Sequence, residues 1–428
     1  MVCLLGACSS SNEPQAGSAT GGSASEGGTA SGRIGDGSTA GSVSPTPGTA
    51  GLPATGGGAS GGTSSGSGAI DAGGRSTGGA TGSVSGGSGG SSQLEKAFVY
   101  LGGGQNGAGV IALYSLDYGS GELTLIKSEN VGKNCSYLTL DVANHALFTT
   151  DDSDRRVRSL SINPTTWELA VGSERPSSGA PVHVAVTSDG KFVLTAQWIQ
   201  GTIEAFRAGD GMLGTSLGSE SACGQAHQIA LAPEQDYVFV PCQTAGKINR
   251  YKFDKTTGAL TAPTSTPTAS DAGPRHLTFA PKGQFAYLVN EFDSTVYAYS
   301  YAAGVLTELQ RVTALPSGFT GSSAGAEIAV VPSGKYVYAS NRPKGQDGTI
   351  AQFLVGPDGK LIANGHQATG GQTPRSFAVD PTGRFLIVGN VDSNSVATLA
   401  IDDATGKLGT AMAISVGFSP WTVGIVVP

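Results

Sequence analysis

Short runs of β-branched and aromatic residues alternate with small or polar residues along most of the chain, and the runs come in pairs. In the clearest pair, the runs Arg275–Phe279 and Gln284–Val289 flank the turn residues Pro281-Lys282-Gly283. Alternation with a period of two, interrupted by a Pro/Gly turn, is typical of two strands of a β-hairpin. This stretch therefore predicts an antiparallel hairpin.

The two open ends of this hairpin lie side by side. In an antiparallel pair, the first residues of one strand lie beside the last residues of the other. Arg275 and His276 are therefore expected next to Asn290 and Glu291. Cationic or titratable groups would meet a carboxylate at one rim of the sheet.

The same hairpin recurs along the chain, at intervals from 45 residues (190 to 235) to 51 residues (283 to 334). Its reference turn positions are Glu95, Asn144, Gly190, Gln235, Gly283, Gly334 and Gly383. Seven units of about 48 residues, each rich in short strands, are typical of a propeller with four-stranded blades. The sequence thus predicts an all-β fold, a seven-bladed β-propeller of four-stranded antiparallel blades.

The two ends of this repeat region complement each other. The segment Pro420–Val426 has the pattern of the inner strand Pro374–Val379, but no second strand follows it. The first unit opens at its second strand and has no inner strand of its own. We therefore expect the C-terminal strand to complete the first blade and close the ring, which removes exposed sheet edges.

The N-terminal part has a different composition. Residues 9–92 consist mainly of Gly, Ser, Thr and Ala and contain no aromatic residue. Such a segment cannot bury enough apolar surface to offset its backbone entropy, so we expect a disordered tether. The predicted domains are a leader at 1–8, a linker at 9–92 and a propeller at 93–428.

The leader contains Leu5-Gly6-Ala7-Cys8, which resembles the lipobox of bacterial lipoproteins. The resemblance implies acylation at Cys8, a membrane anchor and a location in the cell envelope. The alternative is a cytoplasmic start with two incidental cysteines, because no Lys or Arg precedes Cys8 and the apolar run is very short.

Charge and cysteine content exclude several classes of function. The net charge of −7 is spread without runs, so nucleic acid is not an expected partner. The cysteines match no zinc motif, and neither a phosphate loop nor a dinucleotide fingerprint occurs, so we expect no metal or cofactor. Cys223 and Cys242 could form a disulfide or stay as two buried thiols. We expect a monomer.

Aligning the units by their turns predicts which residues share one mouth of the central channel. The inner strands contribute His183, His227, Arg275, His276, Glu327 and Arg375, and the ends of the second strands contribute Asn290, Glu291, Asn341 and Arg342. Equivalent second-strand pairs are Asp151-Asp152, Gln197-Trp198 and Gln243-Thr244, the last of these shifted by one if Cys242 holds the first place. Opposite charges gathered in a water-poor funnel shift one another's pKa, as in sites that tune general acids and bases. The alternative is a network of ion pairs that only lines a channel.

At these residues the sequence resembles the bacterial lactonase family of seven-bladed propellers, which includes 6-phosphogluconolactonases and the carboxymuconate lactonising enzyme. The resemblance rests on Gly-x-Pro-Arg-His, Asn-Glu, Ser-Asn-Arg and Pro-Arg-Ser-Phe, and covers most of residues 94–428. It implies a catalytic group of His227, Arg275, Glu291 and Arg342. The chain departs from the family pattern at Gln197-Trp198 and Cys242-Gln243-Thr244, which line the same funnel and bear on the substrate.

The resemblance implies hydrolysis of a small anionic or sugar-type lactone. Arg275 and Arg342 would bind an anionic group and stabilise the oxyanion, and His227 or Glu291 would act as general base. We expect His183, His276, Glu327, Asn290, Asn341 and Arg375 to bind substrate. Two alternatives are a tethered propeller that binds a ligand or protein without catalysis, and a lactone-forming cycloisomerase.

Overall fold

The computed structural model describes residues 96–428. The leader, Cys8 and the linker at 9–92 lie outside the described residues. Within residues 96–428 the chain forms seven four-stranded antiparallel sheets, and the inner strands of neighbouring sheets contact one another around a ring. The predicted seven-bladed propeller is confirmed.

Each blade runs from an inner strand at the channel to an outer strand at the rim. The strands, blade by blade, are as follows: in blade 1, β28 (Ser419–Val426), β1 (Lys96–Gln105), β2 (Ala108–Asp117) and β3 (Leu123–Asn130); in blade 2, β4 (Tyr137–Asp141), β5 (Ala146–Asp151), β6 (Arg156–Ile162) and β7 (Leu169–Pro176); in blade 3, β8 (Pro181–Val186), β9 (Phe192–Gln197), β10 (Thr202–Gly209) and β11 (Met212–Ser221); in blade 4, β12 (Ala230–Leu231), β13 (Tyr237–Cys242), β14 (Lys247–Phe253) and β15 (Leu260–Pro267); in blade 5, β16 (Pro274–Phe279), β17 (Phe285–Asn290), β18 (Thr295–Ala302) and β19 (Val305–Thr313); in blade 6, β20 (Ser323–Val330), β21 (Tyr336–Pro343), β22 (Thr349–Val355) and β23 (Leu361–Ala368); and in blade 7, β24 (Pro374–Val379), β25 (Phe385–Asn390), β26 (Ser395–Ala400) and β27 (Met412–Ser415).

The ring is closed by the C-terminal strand. β28 pairs antiparallel with β1, with Phe98 opposite Val426 and Leu101 opposite Val423. One blade therefore joins both ends of the described chain, as the sequence predicts. This pairing covers the inner edge that β1 would otherwise expose.

The core lies between neighbouring blades, where the apolar faces of two sheets pack together. Between blades 5 and 6, for example, Tyr287 and Val289 pack with Ile328, Val337 and Phe353, all of them buried. Burying a side chain of this size stabilises the fold by about 1.5–3 kcal/mol. The packed blades hold the inner strands rigidly around the channel.

Most inner strands carry an irregularity at the same level, near the channel mouth. In blade 5, Pro274 pairs with Asn290 and His276 pairs with Val289, so Arg275 is an extra residue in the ladder. Val182, Arg375 and Trp421 occupy the same kind of position in blades 3, 7 and 1. A β-bulge bends the strand locally and re-aims the side chain of its extra residue.

Helical structure is minimal. Among residues 96–428, the secondary structure includes one 3₁₀ helix, Gln243–Ala245. In this part of the chain, no helix has the length and apolar character needed to cross a bilayer.

Candidate active site

The residue that follows the second strand of each blade lies at the channel mouth. In blades 2 to 5 and 7 this position holds Asp152, Trp198, Gln243, Glu291 and Val391. In blade 6 the second strand runs on to Pro343, so the equivalent residue, Arg342, lies within β21. In blade 4 the second strand ends at Cys242, so Gln243 is the counterpart of Glu291. The shifted alignment of this unit is therefore the correct one.

Glu291 binds partners from both neighbouring blades as well as its own. Its Oε2 atom lies 2.9 Å from Nε of Arg275, and its Oε1 atom lies 2.9 Å from Nη2 of Arg342. Gln243 of blade 4 donates from Nε2 to Glu291 Oε2 at 2.6 Å. Residues from three consecutive blades thus meet at one carboxylate.

Local backbone features hold the two arginines. Arg275 is the bulged residue of β16, and its Nη1 donates to the Ala326 carbonyl oxygen at 2.7 Å. Arg342 donates from Nη2 to the Gly325 carbonyl oxygen at 3.0 Å. Any Cβ at Gly325 would lie 2.2 Å from the carbonyl oxygen of Asn290, so only glycine allows β20 to approach blade 5 this closely.

Burial and charge act in opposite directions in this group. Burial alone would raise the pKa of the Glu291 carboxyl, but Arg342 and Arg275 outweigh it and lower that pKa below its usual value. Burial lowers the pKa of Arg275 to about 9, against the opposing effect of Glu291. At pH 7 the group therefore consists of a carboxylate between two guanidinium cations.

A second buried pair lies on the inner strands of blades 5 and 6. Nδ1 of His276 lies 2.7 Å from Oε1 of Glu327, and the Ile328 amide donates to the same oxygen at 3.1 Å. Glu327 Oε2 is buried and has no hydrogen-bond partner among the described residues. Burial lowers the pKa of His276, and Glu327 opposes that shift.

Three histidine rings lie close together in the channel. The centroid of the His276 ring is 5.1 Å from that of His227 and 5.6 Å from that of His183. Burial, reinforced by Arg275 and His276, lowers the pKa of His227 well below its usual value of 6.5. Burial does the same for His183. Both imidazoles are therefore neutral at pH 7.

His227 differs from the other two in its backbone environment. The sequence places all three on inner strands, but His227 precedes the two-residue strand β12. Its amide donates to the Pro241 carbonyl oxygen at 3.0 Å. Nδ1 of its ring is buried and makes no hydrogen bond with the described residues.

With this geometry established, comparison with known proteins identifies the family. Residues 98–423 match the family model described as "Lactonase, 7-bladed beta-propeller". The chain belongs to this lactonase family. It is 30% identical over 312 residues to a 6-phosphogluconolactonase of Pectobacterium carotovorum, which covers 72% of this chain and 92% of the relative. It is 31% identical to a 6-phosphogluconolactonase of Bacillus subtilis, with 72% and 91% covered.

A solved structure gives the same result for the lactonase fold. The periplasmic gluconolactonase of Pseudomonas aeruginosa superposes with a TM-score of 0.72 and 25% identity. The match covers 78% of this chain and all of that structure's chain. The likeness to the lactonase family thus extends over the whole propeller.

The four residues that the lactonase resemblance predicts as catalytic lie in one cluster. Arg275, Glu291 and Arg342 are in direct contact, and His227 neighbours His276 of the same funnel. Their catalytic roles stay a prediction.

The open question of the cysteines is answered by a disulfide between Cys223 and Cys242, whereas Cys135 is buried and free.

The predicted substrate-binding residues fall into two groups. His183, His276 and Glu327 face the same channel cluster, and Arg375 lies with its guanidinium carbon 5.5 Å from the centre of the Trp421 ring. Asn290 donates to Thr295 Oγ1 at 2.9 Å, and Asn341 donates to the Ala314 carbonyl oxygen. Asn290 binds within its own blade, and Asn341 binds the segment that joins blades 5 and 6. A substrate contact by either stays a prediction.

Three channel residues were not among the predicted site residues: Tyr137, Trp198 and Gln243. Tyr137 stacks on His183 with ring centroids 4.0 Å apart, and Trp198 Nε1 donates to Gln243 Oε1 at 2.8 Å. Their repeat positions were the available signal, because each is aligned with a predicted site residue.

Among residues 96–428, no group of three or more His, Cys, Asp or Glu side chains is arranged to hold a metal ion.

Proposed function

We propose that this propeller hydrolyses a small anionic or sugar-type lactone at the channel mouth. The observation that carries the proposal is the Glu291 carboxylate held between Arg275 and Arg342, beside a neutral histidine with an unpartnered ring nitrogen. The naming of the relatives as 6-phosphogluconolactonase and gluconolactonase supports the same reaction class.

The charges gathered around Glu291 favour an anionic substrate. Arg275 and Arg342 contact this single carboxylate, and Arg375 also acts on it electrostatically. Arg342 Nε is buried and donates no hydrogen bond within the described residues. A guanidinium with an unused donor suits a carboxylate, a phosphate or the carbonyl oxygen of a lactone.

His227 is the better candidate for the general base. Both oxygens of Glu291 are bound by arginine side chains, whereas Nδ1 of His227 has no hydrogen-bond partner among the described residues. In our proposal His227 takes a proton from water while the water oxygen attacks the lactone carbonyl carbon. Arg342 stabilises the resulting oxyanion, the ring C–O bond then breaks, and His227 returns the proton to the leaving oxygen.

In this mechanism Glu291 is a positioning residue. It keeps two like-charged guanidinium groups close together and fixes their donors toward the funnel. Without the carboxylate the two cations would repel each other in a buried site.

The decisive experiment is a lactone panel assayed with the full chain. We expect hydrolysis well above the spontaneous rate for at least one aldonolactone, and comparing phosphorylated with unphosphorylated forms identifies the anionic group. Incubation with an open-chain muconate-type acid tests cycloisomerisation. If no lactone forms from it, hydrolysis is separated from cycloisomerisation. Binding of lactones without any turnover would overturn the proposal in favour of a non-catalytic binding propeller.

We also propose that the protein is a lipoprotein of the cell envelope, anchored through Cys8. The Leu5-Gly6-Ala7-Cys8 motif supports the anchor, and the Cys223–Cys242 disulfide suits an oxidising compartment. The periplasmic location named for the Pseudomonas aeruginosa relative points the same way. Cys8→Ser is expected to move the protein from the membrane fraction to the soluble fraction, and an unchanged distribution would contradict the anchor.

We propose that the protein works as a monomer and binds no nucleic acid. The net charge of −7 supports the second point, because phosphate backbones bind basic surfaces. Light scattering on the purified protein is expected to give the mass of one chain.

A further inference from the structure

Blade 4 differs from the others at the strand that should carry a catalytic histidine. Its inner strand β12 has two residues, whereas the six other inner strands have between five residues (β4) and eight residues (β20 and β28). His227 lies before β12, and single contacts tie it to β13: Ala226 forms an isolated bridge with Cys242, and the His227 amide donates to the Pro241 carbonyl oxygen at 3.0 Å. Little regular sheet pairing therefore holds this segment.

A disulfide adds a covalent link to this limited pairing. Cys223 and Cys242 join the segment before β12 to the last residue of β13. Near this link, Ala226 forms an isolated bridge with Cys242, and the Gln243 amide donates to the Gln225 carbonyl oxygen at 3.1 Å. The covalent bond thus fixes the approach of the chain to His227.

The same disulfide fixes Gln243, which follows Cys242 directly. Gln243 is 3% exposed and lies between two neighbours. Its amide oxygen accepts from Trp198 Nε1 at 2.8 Å, and its amide nitrogen donates to Glu291 Oε2 at 2.6 Å. The indole donor determines which way the amide points, because only an amide with its oxygen toward Trp198 can donate to Glu291.

We propose that Gln243, oriented by Trp198 and held by the Cys223–Cys242 disulfide, is a positioning residue for Glu291, and that the disulfide makes the activity depend on redox state. This inference rests on the proposed lactone hydrolysis. Trp198 and Gln243 both lie where the chain departs from the lactonase family pattern. This arrangement is therefore a feature of this chain's own residues.

The redox step needs a dithiol reductant. A thiolate of the reductant attacks Sγ of Cys223, which is partly exposed, and Sγ of the buried Cys242 leaves as a thiolate that takes a proton. The second thiol of the reductant then releases Cys223 and forms the reductant's own disulfide. Two cysteine thiols result, and the segment before β12 loses its covalent link to β13.

Activity in the oxidised and reduced states is the first test. We expect dithiothreitol to lower kcat/KM about tenfold and reoxidation to restore it. The double variant Cys223→Ala/Cys242→Ala should match the reduced protein and should not respond to dithiothreitol, which controls for reduction elsewhere. Full activity of the reduced protein, with loss of the disulfide verified by thiol titration, would overturn the inference.

The orientation of Gln243 has its own test. Gln243→Ala removes a donor to the Glu291 carboxylate, so the pKa of Glu291 should rise and the acid limb of the kcat/KM profile should move to higher pH. Arg275, Arg342 and Arg375 still face Glu291 and keep it ionised near pH 7. Trp198→Phe, which keeps a ring but lacks the indole donor, should shift the limb in the same direction. A lower melting temperature with an unmoved limb would show a merely structural role and would contradict the proposal.

A readout without substrate separates this inference from the proposed function. Reduction should change the tryptophan emission of the wild-type protein and leave that of Trp198→Phe unchanged, because Trp198 bonds the residue next to Cys242. If no lactone is hydrolysed by the oxidised protein, the proposed function fails, and the emission experiment still tests the linkage. An emission that reduction does not alter would refute the linkage itself.

Discussion

Blades 2 and 5 carry a carboxylate at the same repeat position, but the two carboxylates have different partners. Asp152 follows β5 and accepts hydrogen bonds from Asn134 Nδ2 at 2.8 Å and Ser136 Oγ at 2.7 Å, both on the segment that leads into its own blade. Glu291 follows β17 and binds Gln243 of blade 4 and Arg342 of blade 6. Only the second arrangement makes three blades depend on one carboxylate.

The arginines that pair with carboxylates in these two blades show the same contrast. Arg158 pairs with the fully buried Asp151 of its own blade at 2.9 Å. Arg275, which is 2% exposed, pairs with a carboxylate and also donates to the next blade at Ala326. A propeller repeat therefore uses one position for local stability in one blade and for a shared polar site in another. The partners of the side chain, rather than its position in the repeat, distinguish the two uses.

The largest expected effect comes from neutralising the two carboxylates. Glu291→Gln should lower kcat/KM by about 10³-fold, because the two buried guanidinium groups lose the charge that holds them in place. Asp152→Asn should change kcat/KM less than about twofold and cost about 1 kcal/mol of unfolding free energy. Steady-state kinetics and urea unfolding of both variants provide the measurement. Comparable losses of activity would erase the distinction between the blades.

The arginines should differ in the same way, by a smaller factor. Arg275→Ala should lower kcat/KM about 10²-fold, since Glu291 loses one of the two guanidinium groups that hold it and a positive charge leaves the site. Arg158→Ala, the matched change in blade 2, should keep the activity and reduce stability through the unpaired buried Asp151. Arg275→Lys keeps the positive charge but lacks the planar, forked guanidinium group. It therefore controls for a folding defect caused by loss of the charge. We expect its kcat/KM to stay low. Wild-type kinetics in Arg275→Lys would show that geometry at this position is unimportant.

The sequence predicts the fold well because repetition fixes the register of every blade at once. The spacing of turns such as Gly190 and Gly383 determines the number of blades, and a channel mouth follows because all inner strands start at the same level. Arg275, Glu291 and Arg342 could be placed together on that basis alone. Their contacts confirm this placement.

Repetition cannot predict which side chains bind one another. Val182 and Arg275 occupy equivalent bulges, yet only one of them can form an ion pair. The shortness of β12 was also not predicted, because the apolar pattern of its residues resembles that of the longer inner strands. The sequence places Gln243 in the funnel but leaves its register open by one residue, because that register depends on where β13 ends.

The buried histidines of the channel should make stability fall on acidification. Burial lowers the pKa of His183, His227 and His276 in the folded state, so the unfolded chain binds more protons below pH 6.5. The free energy of unfolding should therefore fall as pH drops through 6.5, by up to about 1.4 kcal/mol per pH unit for each histidine. Urea unfolding at about pH 7.5, 6.5 and 5.5 measures the slope of the unfolding free energy against pH. His183→Asn should reduce the slope, because it removes one of these buried imidazoles.

The smallest expected effect is a rate that hardly changes with pH. The lowered pKa of His227 keeps its imidazole neutral below pH 6.5, and the lowered pKa of Glu291 keeps the carboxylate ionised. After subtraction of spontaneous hydrolysis, kcat/KM should vary less than about twofold between pH 7.5 and 6, where a histidine base with its usual pKa would lose most of its activity. Asp152→Asn should follow the same flat profile, because blade 2 contributes no group to the proton transfer. A fall centred near pH 6.5 in both proteins would mean that the base is an ordinary solvated histidine outside this channel.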